Sequence, residues 1–493
     1  MSAMHPGPVL AARRGRIVVA AMLVSTFMAA VEVTVISTAM PTIVGQLGGF
    51  DLFTWAFGIY LLGQAVTTPL YGRLADQYGR KPVYLGSVAV FLLGSLLCGF
   101  AWSMASLVGF RALQGIGGGG LIPLANMIIS DVSSPADRPR ALGYVSGIWG
   151  ISAIIGPLLG SFFTGTLGWP FVFWINLPIG LLAAALVVRF LHEPAAARLR
   201  TPIDAGGAAL LALGIGAVMA VLVQGESFSR AVLVALLALG LLALAGFAWR
   251  EGRSAAPILP LHLWRNRLIV SANLSALSCG ALMIGATAFL PPWIQGVLGR
   301  NALVAGFVLG VLTVSWTVAS MGLSRVLNRV AYRPVALVGS LALAVGAGGL
   351  LLLRPGQDAA GVAVACGVLG AGLGLHSLVF NVGVQSSVVH DDRGRATSLF
   401  FFSRLIGQAL GAAAFGGVLN AGLAAAGPAA HDAMRDLVEP TLRAAVPAAE
   451  LARLTGALAA ALHGVFILAA GIAAVALPIT LLVPRRARMP REG

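Results

Sequence analysis

The chain has 493 residues, of which 58% are apolar and only 10% charged, and its mean hydropathy is +0.92. A soluble domain carries about 25% charged residues, so the composition excludes an ordinary soluble globule and points to a membrane protein. The net charge of +15 would suggest a nucleic-acid partner in a soluble protein, but the placement of the bases gives it another meaning.

Fourteen stretches are apolar and long enough to cross ~30 Å of hydrocarbon. They lie near residues 17–38, 53–71, 83–101, 105–130, 139–164, 170–189, 205–224, 231–249, 268–290, 302–322, 334–353, 360–381, 396–422 and 460–483. With the amino terminus inside, 24 of the 32 Lys and Arg fall in inner segments, six outside, and two, Arg111 and Arg404, within spans. The positive-inside rule therefore places both termini in the cytoplasm, and thirteen spans would put basic loops on the wrong side. The bases explain topology, and no nucleic-acid partner is expected. The Arg13-Arg14-Gly15-Arg16 start mimics a signal peptide, but the apolar run behind it is too long for one and reads as a retained helix. Cys98, Cys279 and Cys366 fall in spans and read as packing residues, with no disulfide framework or metal-ligand spacing.

In chain order, the first span holds Glu32, the only one of the 17 acids deep within a span. Burial disfavours the charged form of a carboxylate, so Glu32 is expected to exchange protons near neutral pH, whereas a cationic substrate would favour its ionised form. A structural Glu32, bonded to a neighbouring helix, is the alternative. After the second span, Gly72-Arg73-Leu74-Ala75-Asp76-Gln77-Tyr78-Gly79-Arg80-Lys81 sets an acid, three bases and two glycines at the inner surface. The acid can pair with a base or cap a helix amino terminus, and such contacts form a latch when made in one conformation and broken in another. In span four Arg111 is costly unless it faces partners or water, or snorkels to the interface. The run Gly117 to Gly120 lacks the Lys-Ser/Thr of a phosphate loop. In span five Ser152, Gly156 and Gly160 recur every four residues on one face, and Pro157 permits a bend.

A charged stretch near 191–204 reads as a cytoplasmic linker, with Asp204 capping the next helix, and two spans separate it from a second basic stretch at 250–267. The last six spans form a second block, in which Gly322 through Arg333-Pro334-Val335 echoes the charged turn without its acid. The organisation is thus a six-helix bundle over 1–190, linkers with two extra helices over 191–267, and a second six-helix bundle over 268–493. The outer segment near 423–459 is Ala-rich, and Asp432 to Glu439 would form a short amphipathic helix or a loop there, a place for an outer partner to dock. His376 is the only other titratable group in a span with an accessible pKa, and is assigned with Glu32 and Arg111 to proton coupling, against a plain hydrogen-bonding role. Trp149, Asn176, Asn273, Asn381, Gln385, Arg404 and Gln408 would line a cavity or join helices; Trp55, Phe57 and Trp149 would stack on flat substrates or anchor at the interface.

Gly72-x-Leu74-Ala75-Asp76-x-x-Gly79-Arg80-Lys81 resembles the loop between helices two and three of the major facilitator superfamily. Leu107-x-x-x-Arg111-x-x-Gln114-Gly115-x-Gly117 is similar to that family's fourth-helix motif, where a buried arginine is linked to proton coupling. Gly150-x-x-x-Ile154-Ile155-Gly156-Pro157-x-x-Gly160 resembles its fifth-helix motif of exporters and antiporters. Trp169-Pro170-Phe171-Val172-Phe173-Trp174-Ile175-Asn176-Leu177-Pro178-Ile179-Gly180 and the first-helix segment Glu32 to Pro41 resemble the fourteen-helix drug:proton antiporter family, with Glu32 in place of its usual aspartate. The resemblance covers most of the first six spans and, more loosely, Arg393 to Gly411.

The expected protein is therefore an all-α polytopic transporter of the major facilitator fold, in the cytoplasmic membrane. It would be a monomer exporting amphipathic cationic or neutral drugs in exchange for protons by alternating access, with no cofactor beyond the proton gradient. Gly72, Arg73, Asp76, Gly79, Arg80 and Lys81 would gate, and Gly150, Gly156, Pro157 and Gly160 would set the antiporter bend. A dedicated exporter of one lipid or secondary metabolite is the alternative. An intramembrane lipid-modifying enzyme finds little support, since Asp391-Asp392 stands without a His cluster or metal-binding partner.

Overall fold

The computed structural model describes residues 8–134, 137–193, 204–225, 227–253, 261–326, 331–388, 393–427, 437, 443 and 445–483. Its helices are α1 (Pro8–Leu47), α2 (Phe53–Tyr78), α3 (Arg80–Gly99), α4 (Met104–Val132), α5 (Arg138–Phe162), α6 (Pro170–Trp174), α7 (Asn176–Phe190), α8 (Ala205–Val223), α9 (Arg230–Glu251), α10 (Arg267–Pro292), α11 (Ala302–Val326), α12 (Tyr332–Leu350), α13 (Ala359–Ser386), α14 (Arg393–Ala425) and α15 (Ala448–Leu481). The short α6 and α7 follow one another as the sixth span. Among the described residues, 13 rods are long and apolar enough to cross a membrane. The remaining long helix, α2, has 26 residues but carries Gln64, Thr67, Thr68, Arg73 and Asp76, which lower its hydropathy; it packs on α4, α14 and α8. It completes the fourteen that loop charge required. α15 begins at Ala448 rather than near 460, because the Ala-rich outer segment favours helix before the hydrocarbon begins. Glu226, Asp391-Asp392 and nearly all of Asp432 to Glu439 lie outside the described residues.

Helix neighbours repeat. In the first six rods α4 packs on α2 and α3, and α1 on α5, α4 and α7; in the last six α13 packs on α11 and α12, and α10 on α14, α13 and α15. Small residues make both sets possible. A Cβ at Gly115 would meet Tyr60 of α2, at Gly117 Phe91 of α3, and at Gly119 Thr67 of α2; one at Gly370 would meet Leu312 of α11, at Gly372 Leu343 of α12, and at Gly374 Trp316 of α11. Alternate glycines thus let α4 and α13 lie backbone against backbone on two neighbours at once. The echo extends to α14, where Gly407 lies against Leu277 and Gly280 of α10 against Arg404.

The first and last sets meet where α2 lies against α14 and α5 against α11. The inserted pair sits beside the first of these seams. α8 contacts α2 and α14 as well as α9, whose apolar surface is largely exposed to lipid. At its inner end Asp204 caps α8, accepting from Gly207 N at 2.8 Å and from Arg250 Nε of α9 at 2.6 Å, as the sequence implied. Burial acts to raise the Asp204 pKa, but the Gly207 N–H and the Arg250 guanidinium outweigh it and hold the carboxyl below the ordinary aspartate range. Its stabilisation is then fully present above the unfolded value of about 3.9 and lost as pH falls through the folded value. Arg250 is half-exposed, so the cap contributes more than the ion pair, about 1 kcal/mol. The D204N variant is expected to melt below the parent at pH 7 in detergent, with the gap closing as pH falls below about 4; a gap indifferent to pH would remove the charge from this account.

Candidate functional site

The two charges buried within the first six rods lie in one network. Glu32 of α1 and Arg111 of α4, both buried, form an ion pair with Nη1 2.5 Å from Oε1. The other carboxylate oxygen accepts from Asn176 Nδ2 of α7 at 2.5 Å. Arg111 also donates to Gln114 Oε1 at 2.7 Å and, through Nε, to the Ala56 carbonyl of α2 at 3.0 Å, while its Cζ lies 4.0 Å from the Tyr60 ring centroid. Ser95 of α3 accepts from Asn176 and Gln114 and donates to the Phe173 carbonyl. Four rods thus meet on one carboxylate and one guanidinium, and α3 joins through Ser95. Taking two charges out of water costs several kcal/mol per ion, and the short contacts and extra donors offset it. Within this network a proton on Glu32 would cancel the charge that holds Arg111, so protonation of one would loosen the other. Asn176 Oδ1 is buried with no hydrogen-bond partner, so rotation of the amide would offer a protonated Glu32 an acceptor.

The charged turn departs from expectation in its acid. Asp76 is exposed and bonded to no other described residue. The acid that caps α3 is Glu193, which follows α7 and accepts from Arg80 N at 2.7 Å and Lys81 N at 3.2 Å. Gly79 is required there: its φ is +95°, and a Cβ would lie 2.7 Å from Glu193 Oε2. Arg80 pairs with Asp131 at the inner end of α4, and Lys81 donates to the Val188 and Leu191 carbonyls that terminate α7. Arg73 faces Glu251 and Asp204 of the inserted pair, with Arg395 of α14 nearby as a like charge. Gly72 has open space around it and no close neighbour to accommodate.

The small residues of α5 serve packing against α1. A Cβ at Gly156 or Gly160 would strike Thr34 or Thr38, and Thr34 Oγ1 donates to the Ser152 carbonyl at 3.1 Å. Pro157 seats against Gly306 of α11, while Gly150 only reaches Thr317 at 4.0 Å. α5 continues through Pro157 and ends in a π-helical turn at Phe163–Leu167. Further contacts close the outer ends of the first and last sets. Gln295 Nε2 donates to the Thr38 carbonyl at 3.2 Å, Asn420 Nδ2 to the carbonyls of Asp51 at 3.1 Å and Val223 at 3.3 Å, and Phe53 meets Phe289 edge-on at 6.0 Å. Above them Leu437 is buried and Arg443 Nη1 donates to the Gly296 carbonyl at 2.6 Å.

In the last six rods His376 accepts or donates at both ring nitrogens, to Ser275 at 2.6 Å and to Ser340 and the Ala336 carbonyl at 2.9 and 3.0 Å. It joins α13 to α10 and α12, and lies in the opposite set of rods from Glu32. Asn273 is buried and accepts from Ser403 of α14 at 2.8 Å. Gln385 donates to Asn381 on the inner turn of α13. Gln408 is buried on α14, Arg404 is partly enclosed there, and Trp149 is half-buried on α5. Phe57 is buried against Phe53 and presents no free stacking face there. Sequence reasoning missed Tyr60, Ser95 and Glu193; Gln114, three residues after Arg111 and so on its face, was the available signal for a partner.

Residues 22–412 match the family described as the Major Facilitator Superfamily. The chain is 32% identical over 414 residues to multidrug transporter protein MdtP of Bacillus subtilis, covering 82% of this chain and 75% of the relative. It is also 32% identical over 494 residues to multidrug resistance protein 3 of the same organism, covering 96% of each. The fold is similar to that of a bacterial homolog of the human lysosomal transporter Spinster in an inward-facing, unoccupied conformation, with TM-score 0.67 at 16% identity over 99% of this chain and 100% of that one.

Replacing Arg111 by Met leaves an unpaired carboxylate in the network and is expected to cost roughly 3–5 kcal/mol of stability. The E32Q/R111M double variant should recover part of that loss. Thermal melting of the three proteins in one detergent checks this, and a double variant no more stable than R111M would show that the two charges do not depend on each other.

Proposed function

The chain belongs to the major facilitator superfamily, and we propose that it is a fourteen-helix drug:proton antiporter of the cytoplasmic membrane, exporting amphipathic cationic or neutral compounds. The observation that carries this reading is the Glu32–Arg111 pair, one acid and one base buried together at the centre of the first six rods. The names of the two Bacillus relatives support drug export, and the closed outer ends fit one state of an alternating-access cycle.

In the structure Glu32 is closed by Arg111 and Asn176. A proton arriving from outside would neutralise Glu32, free Arg111 to find other acceptors, and let Asn176 turn its carbonyl toward the new carboxyl. A cationic compound entering from inside would favour the ionised carboxylate again and drive the proton inward. Competition of proton and substrate for one carboxylate is sufficient for exchange. The domains 1–190 and 268–493 would rock against each other along the α2–α14 and α5–α11 seams, with α8 riding on the first seam. His376, with both ring nitrogens engaged, serves packing in this scheme rather than proton transfer. The docked Leu437 and Arg443 support a reading in which these two residues help to cap the protein's own closed outer end.

The E32Q variant keeps a hydrogen-bonding side chain but carries no titratable proton. In inverted vesicles with an imposed pH gradient it is expected to abolish uptake of a fluorescent cation. Undiminished uptake would take Glu32 out of the mechanism.

A further inference from the structure

Two arginines lie within the spans, and their surroundings differ. Arg111 is spent on a carboxylate, two neutral acceptors and an aromatic face. Arg404 sits ~16 Å along α14 from Arg393, well inside the hydrocarbon. Its Nε is fully enclosed and bonds to nothing, and no carboxylate among the described residues pairs with it. Its nearest companions are the Phe401 ring, 5.3 Å from its Cζ, and Cys279 of α10. The backbone that carries it is held close to α10, since its carbonyl is pressed against Gly280 and the next turn, at Gly407, against Leu277. The side chain as a whole nonetheless keeps some exposure.

Polar groups gather on the same stretch of the α10–α14 contact. Ser403 bonds Asn273, and Gln408 lies buried one turn further on. A guanidinium inside a span with its enclosed Nε unspent and no carboxylate beside it is an unfavourable arrangement unless something from outside the chain completes it. The Glu32–Arg111 pair is neutral as a unit, so Arg404 leaves the described interior of the spans with one uncompensated positive charge.

We infer that Arg404 receives a carboxylate or phosphate-type anion carried by the exported compound, which extends the substrates from cations and neutral amphiphiles to zwitterionic and anionic ones. The inference rests on the export reading above and gives the second half of the protein a share in specificity. The planar guanidinium fork suits a two-oxygen anion, and Phe401 beside it suits an apolar or aromatic body attached to that anion.

A carboxy-rhodamine and its methyl ester differ only in the anionic group and make the test. Binding is read by fluorescence anisotropy on the purified full-length protein in nanodiscs, and transport by dye uptake into inverted vesicles under a pH gradient. The parent is expected to bind and carry the free acid; R404Q should weaken the free acid on the order of tenfold while leaving the ester within about twofold, and R404K should keep part of the preference. Retained handling of the ester shows that R404Q is folded. Equal effects on both dyes, or no preference in the parent, overturn the inference. Loss of the preference when phosphatidylglycerol is added to the nanodiscs also overturns it, since the anion would then be a lipid headgroup. If binding shows the Arg404-dependent preference but no gradient drives either dye, the inference stands and the antiporter reading fails.

Discussion

The rest of the structure depends on one buried ion pair. Glu32 and Arg111 are 79 residues apart in sequence, on helices that have to meet for either charge to be tolerated away from water. Every polar group around them has a task that follows from this. Asn176 satisfies the second carboxylate oxygen, Gln114 and the Ala56 carbonyl take remaining guanidinium donors, and Ser95 fixes Asn176 and Gln114 together. The first six rods are thereby tied at their centre by charge. The last six are tied by a hydrogen-bonded cluster around His376. The halves are thus asymmetric, with a buried ion pair in the first and a hydrogen-bonded histidine in the last.

The charged turn shows a similar asymmetry at the inner surface. Its bases are committed within the first half, to Asp131, to the α7 carbonyls and, through backbone N–H groups, to Glu193. Arg73 alone looks outward, toward acids of the inserted pair. Asp76, the acid that the motif makes conspicuous, is left in solvent. In this conformation the turn therefore clamps the first half on itself, with Arg73 facing α8–α9.

Much of the architecture was legible because hydrocarbon imposes simple rules. Hydropathy marked fourteen spans and loop charge argued against thirteen, and the structure has α2 as a long helix although it is more polar than the other thirteen rods. Glu32 stood out as the only acid deep in a span, and Asp204 as a cap. What the chain order concealed was long-range pairing. Glu193 looked like one more linker charge, since nothing local says that α7 ends beside the start of α3. The glycines at 370, 372 and 374 were not matched with those at 115, 117 and 119, because they lie in different apolar surroundings and become equivalent only when each is seen to face two neighbouring helices. Gly150 and Gly156 looked alike in the motif, yet only Gly156 meets a close neighbour.

The distribution of bond strengths then says where motion is to be found. Within each half, helices approach through glycines with backbone against backbone, and the first half adds an ion pair whose separation leaves a charge stranded. Between the halves, the outer closure consists of neutral hydrogen bonds from Gln295 and Asn420 and an aromatic edge contact, each worth about 1 kcal/mol. These outer contacts are individually weaker than the ion pair buried within the first half. Asn420 bonds both Asp51, before α2, and Val223, at the end of α8, so the same outer opening that parts α2 from α14 must also decide which of them α8 follows. At the inner end Arg73 faces Glu251 and Asp204, so charge as well as packing places the inserted pair beside α2.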